Sequence, residues 1–435
     1  MKENITLFWF HRDLRLNDNT GLYHALNSSD RVLPLFIFDT EILDKLTDKT
    51  DRRVGFIYSA LSKLQQEIAA VGSSLLITHG KPFDIFNQLT DRYSVEAVYT
   101  NHDYEPYALV RDAAVADLLK NRQIPFHSYK DQVIFEKQDI LKSDGTPYTV
   151  FTPYSKVWKQ QLAIQGLRFR PSEKLMSNFY KTATLPFPSL QSLGFEHSWT
   201  GFTEPVIDED VIRRYHLTRN LPYLQGTSNM SVHLRFGTIS IRELVSKALA
   251  WNEQWLNELI WREFFMMILA NYPEVVEKSF KPKYDFIVWR NDESEFMKWC
   301  RGETGYPFVD AGMRELNETG LMHNRVRMVV ASFLTKHLLI DWRWGEHYFA
   351  EKLLDFELSS NNGNWQWAAG TGCDAAPYFR IFNPWEQAAR YDPDSVYIKK
   401  WVKEAGTPAY ATPIVEHTYA RQRALEAYKK ALNPL

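Results

Sequence analysis

ITLFWFHRDLRLNDN, residues 5–19, and VLPLFIF, residues 32–38, decide how the first part of this chain folds. Each carries a short apolar run without polar alternation, the pattern of a parallel strand covered on both faces. LLITH (75–79) and AVYTN (97–101) repeat that pattern. Between the second and third runs, Val54, Ile57, Leu61, Leu64 and Ile68 recur at helical spacing, which predicts an amphipathic helix ended near Gly72. Strands alternating with helices predict an α/β domain with a parallel sheet over residues 1–130. No GxGxxG or P-loop pattern follows any of these runs, so the usual dinucleotide and nucleotide-phosphate sites are not expected there.

Beyond this region the rhythm changes. Residues 131–205 hold one helix, opened by Thr152-Pro153 and running to about Ile164. Pro171, Pro186, Pro188 and Pro205 then punctuate a segment read as a connector. From Val206 the pattern is helical, which predicts an all-α domain over 206–435, closed by a helix at Ala420–Ala431.

Composition narrows the class. With 51 Lys and Arg against 53 Asp and Glu, the formal charge is −2, so the chain cannot coat nucleic acid through bulk charge. A DNA contact would need a local basic patch. No apolar run is long enough to span a bilayer, and the N-terminus lacks the pattern of a signal peptide. Two cysteines, Cys300 and Cys373, exclude a disulfide scaffold and fit a reducing cytoplasm. The twelve His are scattered without an HExxH or paired Cys/His spacing, so no metal is expected. No GxSxG nucleophile elbow appears. The 14 Trp are concentrated after residue 250.

Four segments carry candidate chemistry. In WLNELIWREFF (255–265), Glu258, Trp261, Arg262 and Phe265 share one helical face. They are either a Glu258–Arg262 surface pair beside core aromatics or the wall of a polar pocket. In GLMHNRVRMVVASFLTKHLLIDW (320–342), Asn324, Arg327 and Met328 share a face and could line a pocket for a flat polar ring, or form a solvated first turn. In LSSNNGNWQWAAGTGCDAAPYFRIFNP (358–384), Asn361 to Asn364 read as a turn through which backbone approaches a ligand, followed at once by Trp365 and Trp367. In YLQGTSNMSVHLRFGTIS (223–240), Gly226, Thr227, Ser228 and Ser231 offer donors of the kind that hold phosphate, a weak signal alone.

These segments, with FWFHRDLRLNDN (8–19), TGYPFVDAGMREL (304–316) and ASFL (331–334), closely resemble the photolyase/cryptochrome family, and within it the bacterial class I cyclobutane-dimer enzymes. The resemblance spans essentially the whole chain and is weakest at 165–205. It implies an α/β N-terminal domain with a Rossmann-like parallel sheet and an all-α C-terminal FAD-binding domain. It implies that Tyr215, Thr227, Ser228, Ser231, Trp255, Arg262, Arg327, Asp355 and Asn361 contact or frame FAD, with Asn361 facing the flavin N5. Glu258, Trp261, Asn324, Met328 and Trp367 would line a pocket for a flipped pyrimidine dimer. Arg325 and Arg380 would grip the flanking phosphates, and Trp365, Trp342 and Trp299 would relay electrons outward from the flavin.

Some positions depart from the family pattern. Glu357 stands where Asp is common near the flavin, and Asn229 where Arg commonly follows Gly-Thr-Ser. Tyr107-Ala108 and Val276-Glu277 replace the Asn-Glu and Cys-Lys pairs of folate-binding members. A folate antenna is therefore not expected, which leaves a deazaflavin, a second flavin or no second chromophore. The activity implied is light-driven splitting of cyclobutane pyrimidine dimers in DNA, by a monomer without an obligate protein partner or membrane contact. Rival readings are a signalling photosensor, repair of the (6-4) photoproduct, and a light-independent electron-transfer flavoprotein. The chain's stop shortly after the last helix argues against the first. The (6-4) enzymes carry His-His where this chain has His323-Asn324, and Asn324 cannot donate a proton. The third would leave Glu258, Asn324 and Met328 without a purpose.

Overall fold

The computed structural model describes residues 2–196 and 203–433, so residues 197–202 of the expected connector lie outside the described part. The chain forms two compact units. One contains Met1–Glu136, Leu162–Val206 and Met230–Lys247, the other Lys137–Gln161, Ile207–Asn229 and Ala248–Leu435.

The first unit is built on a five-stranded sheet in the order β3-β2-β1-β4-β5. The strands are β1 Asn4–Phe10, β2 Val32–Asp39, β3 Leu76–Gly80, β4 Ser94–Asn101 and β5 Phe126–Tyr129. All neighbours are parallel, with Trp9 registered against Leu35 on one side and Thr100 on the other. Every residue of β2 and all but the first of β1 are buried, as the unbroken apolar runs require of central strands. The helix Arg52–Ala70 buries Val54, Leu61, Leu64 and Ile68 and stops short of Gly72. The fifth strand, FHSY, was not legible in the sequence. It pairs only with β4 and stays partly exposed, so it needs no apolar run.

The units do not divide where the composition changes. Much of the expected connector belongs to the sheet unit: the Tyr180 amide donates to the Val32 carbonyl at 2.8 Å, and the Ser172 hydroxyl to that of Leu16 at 2.5 Å. Met230–Lys247 joins the same unit through a buried ionic cluster. Arg242 pairs with Asp18 (2.7 Å) and Asp131 (2.8 Å), and Arg15 completes the cluster on Asp131 at 2.7 Å. Burial would raise the Asp131 carboxyl, but Arg15 and Arg242 win and hold it well below the usual carboxylate range.

The second unit is helical. Trp299, Met313, Val330, Leu334, Trp342 and Trp365 belong to one continuous core. The helix Phe151–Gln165 appears where Thr152-Pro153 predicted it, and the last helix is His417–Leu432. One expectation is overturned. Asn361 to Asn364 are not a turn but the interior of the helix Leu358–Ala369. Gly363 serves helix packing there, since a Cβ on it would fall 2.1 Å from the Phe265 ring. Among the described residues, no helix is long and apolar enough to cross a membrane.

Candidate functional site

Three stretches of the helical unit meet around about 590 Å³ of empty space. The helix Asn324–Ser332 contributes Asn324, Arg327 and Met328. The segment after the helix Trp342–Lys352 contributes Asp355 and Glu357, and Leu358–Ala369 contributes Asn361, Trp365 and Trp367. The i, i+3, i+4 spacing read on the first of these helices thus faces the cavity rather than solvent. His323 caps that helix by accepting the Arg325 amide at 3.2 Å. Burial, with Arg327 and Arg325 nearby, lowers the His323 pKa to about 4.

Each polar group has a defined restraint. Arg327 reaches both oxygens of Asp355 at 3.1 and 2.8 Å, and its Nε donates to the Met322 carbonyl at 2.7 Å. Glu357, one methylene longer than the family residue, folds onto its own helix and accepts from the Ser359 and Ser360 hydroxyls at 2.9 Å each. The Asn361 amide nitrogen donates to the Glu346 carbonyl (3.0 Å) and carboxylate (2.8 Å). Its carbonyl oxygen is the end of the amide left without a partner among the described residues. Burial raises the Glu346 carboxyl above its ordinary range. Sequence reasoning missed Glu346, because it sits between Gly345 and the exposed His347 with no local pattern marking the face that meets Asn361.

The indoles are arranged differently from expectation. Trp365 packs against Phe349 at 5.0 Å between ring centroids and against Trp299 at 6.1 Å. Gly345, on the helix opened by Trp342, admits the Trp365 ring where a Cβ would lie 2.1 Å from it. Trp299 has 0% exposure and donates its N–H to the Val330 carbonyl, so it sits beside Trp365 and is not an outer end of a relay. Trp342 is buried, and its indole N–H has no partner among the described residues. Half-buried Trp289, passed over in the sequence, lies on a segment laced to the approach to Trp342: the Arg290 amide donates to Leu339 and Asn291 accepts from Asp341. Its flanks, Arg290 and Asn291, were the available signal of a surface position.

The helix Glu253–Asn271 carries the other expected group. Glu258 is ion-paired with Arg219 and accepts from Gln254 at 2.8 Å, so its cation is Arg219 rather than Arg262. Trp261 stacks face to face on Phe151 at 3.8 Å. Neither is among the residues lining the cavity that holds Asn324, Met328 and Trp367. Trp255 is buried and Arg262 half-buried. Tyr215 lies under the Arg219 guanidinium at 5.6 Å, and burial with Glu258 nearby raises its phenol.

Thr227 and Ser228 are half-buried, and Thr227 donates to Asn229 at 3.3 Å. Ser231 opens the short helix Ser231–Phe236 and is exposed; it falls in the sheet unit. Arg325 donates twice to Asn220, at 3.2 and 2.7 Å, and lies 4.4 Å over the Tyr391 ring. Arg380 is exposed and has no side-chain partner among the described residues.

The chemistry of this donor set fits a flavin. Apolar rings offer flat walls, and a free amide oxygen and an ion-paired guanidinium can meet the alternating N–H and C=O edge of an isoalloxazine. Among the described residues, no group of three or more His, Cys, Asp or Glu is placed to hold a metal.

Comparison with known proteins agrees with this chemistry. A family model described as DNA photolyase matches residues 6–174, and one described as the FAD binding domain of DNA photolyase matches 255–408. The chain is 38% identical to a deoxyribodipyrimidine photo-lyase of Synechococcus sp., over 97% of this chain and 95% of that protein. A bacterial class III photolyase from Agrobacterium tumefaciens superposes with a TM-score of 0.85 at 30% identity, over 99% of this chain and 98% of that one. An archaeal photolyase from Sulfolobus tokodaii, crystallised with two FAD molecules, gives 0.81 at 32% identity, over 98% of this chain and 100% of that one.

Proposed function

The chain belongs to the photolyase/cryptochrome family, and from that premise we propose how its residues divide the work of repairing pyrimidine dimers in DNA. It is a deoxyribodipyrimidine photo-lyase, an FAD enzyme driven by light. Reduced FAD, when bound, would supply the light-excited electron donor that opening the cyclobutane ring requires.

The carrying observation is a single cavity lined by Asn361, the Arg327–Asp355 pair, Asn324, Met328 and Trp367. Asn361, tethered through its nitrogen, would offer its carbonyl oxygen to the flavin N5, where an acceptor suits a protonated nitrogen. Arg327, Asp355 and Glu357 frame the ring's polar edge. Tyr215, Trp255 and Arg262, with Thr227 and Ser228, would frame the rest of the FAD. Trp367 and Trp261 are the flat walls for the lesion, and Asn324 and Glu258 meet its polar edges. Glu258 is held by Arg219 until a substrate edge competes for it. Arg325 and Arg380 take the flanking phosphates.

The relay runs inward over Trp289, Trp342 and Trp365. Among the described residues Trp342 has no partner to take its indole proton, so the charge would pass on, and half-buried Trp289 would be the outer indole. His323 spends one nitrogen as a helix cap, and burial lowers its pKa to about 4, which disfavours the charged donor that (6-4) repair needs.

A second chromophore, if one binds, would find room in the sheet unit. About 880 Å³ of empty space lies at the C-terminal ends of β1, β2 and β4, bounded by Arg12, Arg111, Arg235 and Tyr107. The Tyr107 hydroxyl is committed to Asp39 at 2.5 Å, and no folate is expected. We read the enzyme as a cytoplasmic monomer with no obligate protein partner, and its two free, buried thiols suit a reducing compartment.

The test uses oligonucleotides carrying one cyclobutane thymine dimer or one (6-4) lesion, illuminated with pre-reduced enzyme. Restoration of the first alone is expected. If reduced FAD and dimer DNA both bind and neither lesion is repaired, the reading is wrong and the photosensor alternative replaces it.

A further inference from the structure

The helix Asn324–Ser332 passes into a π-type turn, Phe333–His337, in which every residue is buried. Such turns interrupt the helical ladder and recur at functional places. Lys336 lies in it with 1% exposure. Its ammonium donates to the Ala369 carbonyl at 2.9 Å and the Tyr378 carbonyl at 3.1 Å, and sits 4.0 Å from the Tyr428 ring centroid. Tyr428 donates to the same Ala369 carbonyl at 2.8 Å and stacks on Tyr378 at 5.7 Å.

No carboxylate is among these partners, and a buried ammonium without one is costly. The two carbonyls show what the N–H donors of Lys336, present whether the amine is charged or neutral, hold together. Ala369 ends the helix that carries Asn361, Trp365 and Trp367, and a cation there meets the negative end of the helix dipole. Tyr378 stands two residues before the exposed Arg380.

We propose that Lys336 is a positioning residue for DNA engagement, clamping the Ala376–Arg380 loop to the C-terminal end of the cavity helix so that Arg380 faces the phosphate backbone. The proposal rests on the reading of Arg380 as a phosphate contact. Among the described residues the titratable group recorded against Lys336 is Tyr428, whose ring it overlies, and burial alone lowers its pKa to about 7. Lifting the loop would admit water and raise that pKa, so the clamped form is favoured as pH rises and the lifted form as pH falls.

The experiment compares wild type, Lys336→Met and Arg380→Ala as holoenzymes, by affinity for dimer-containing duplex at pH 6 to 8 and by hydrogen exchange at residues 376–380. Lys336→Met should deprotect the loop and weaken binding roughly tenfold, with the wild-type advantage growing from pH 6 to 8 and with FAD content unchanged. Arg380→Ala should weaken binding by a similar factor while leaving the loop protected. Unchanged protection in Lys336→Met overturns the proposal. So does lost protection with unchanged affinity where Arg380→Ala does weaken binding. So does a wild-type advantage that is the same at every pH. If Arg380→Ala binds as wild type while Lys336→Met still deprotects the loop, the clamp stands and the phosphate reading fails.

Discussion

The two units keep polar groups inside by opposite means. In the sheet unit, Arg15 and Arg242 meet Asp18 and Asp131 in a cluster where each charge faces its opposite. In the helical unit the cavity holds one ion pair, Arg327–Asp355, and otherwise relies on amides and indoles and a raised Glu346 carboxyl, with a lone ammonium at Lys336 elsewhere in the unit. Paired charge resists change, because removing either partner strands the other in low dielectric. Unpaired or neutral polar groups hold the fold less tightly and stay available to a ligand. The difference separates structure from function: the first cluster joins distant chain segments into one unit, and the second set surrounds the chemistry.

The largest effect should come from breaking the paired cluster. Asp131→Ala leaves two buried guanidiniums without their shared acceptor and should cost about 3–5 kcal/mol in urea unfolding. The Asp131 pKa is depressed in the folded state, so its stabilising contribution is present above the unfolded carboxylate value of about 3.9 and is lost as pH falls below it. A loss under about 1 kcal/mol would erase the contrast between the units.

In the helical unit, Trp367→Ala should leave unfolding near wild type and weaken lesion binding by about 1–3 kcal/mol, the worth of one stacked base. Equal affinity for dimer DNA would place the lesion elsewhere. A smaller effect isolates the lone ammonium. With a folded pKa of about 7 against an unfolded value near 10.4, the unfolded chain binds the extra proton between those limits. Stability should therefore rise with pH across that window by up to about 1 kcal/mol per unit, and Lys336→Met should flatten the rise. An identical slope in the mutant would mean that Lys336 is ordinarily solvated.

The relay offers a sharper optical test. Trp365→Phe should abolish most photoreduction of oxidised FAD, while the pre-reduced mutant still repairs dimers. Trp289→Phe should slow photoreduction more than Trp299→Phe. The reverse order would restore Trp299 as the outer indole.

What was legible in the sequence followed from local periodicity. Unbroken apolar runs gave four of the five strands, and the spacing of Val54 to Ile68 gave the helix that covers them. Asn324, Arg327 and Met328 were placed on one face by arithmetic alone, and the face proved to be the cavity wall. The Asn361–Asn364 reading failed because Asn and Gly favour turns only where packing does not decide otherwise, and here Phe265 decides. Trp299 was misplaced because nothing in its neighbourhood states how deep it lies.

By itself, then, the sequence determined the class of each unit, the family and the residue types available to a flavin and a lesion, since these depend on patterns of two to four residues and on motif chemistry. Tertiary structure alone decided which groups are partners. Asn361 meets Glu346 across 15 residues, Lys336 meets Ala369 and Tyr378 across 33 and 42, and Arg242 meets Asp18 across 224. Such pairings arise when helices and strands pack and water leaves, and the energy of a buried charge or amide depends on that surrounding rather than on its sequence neighbours.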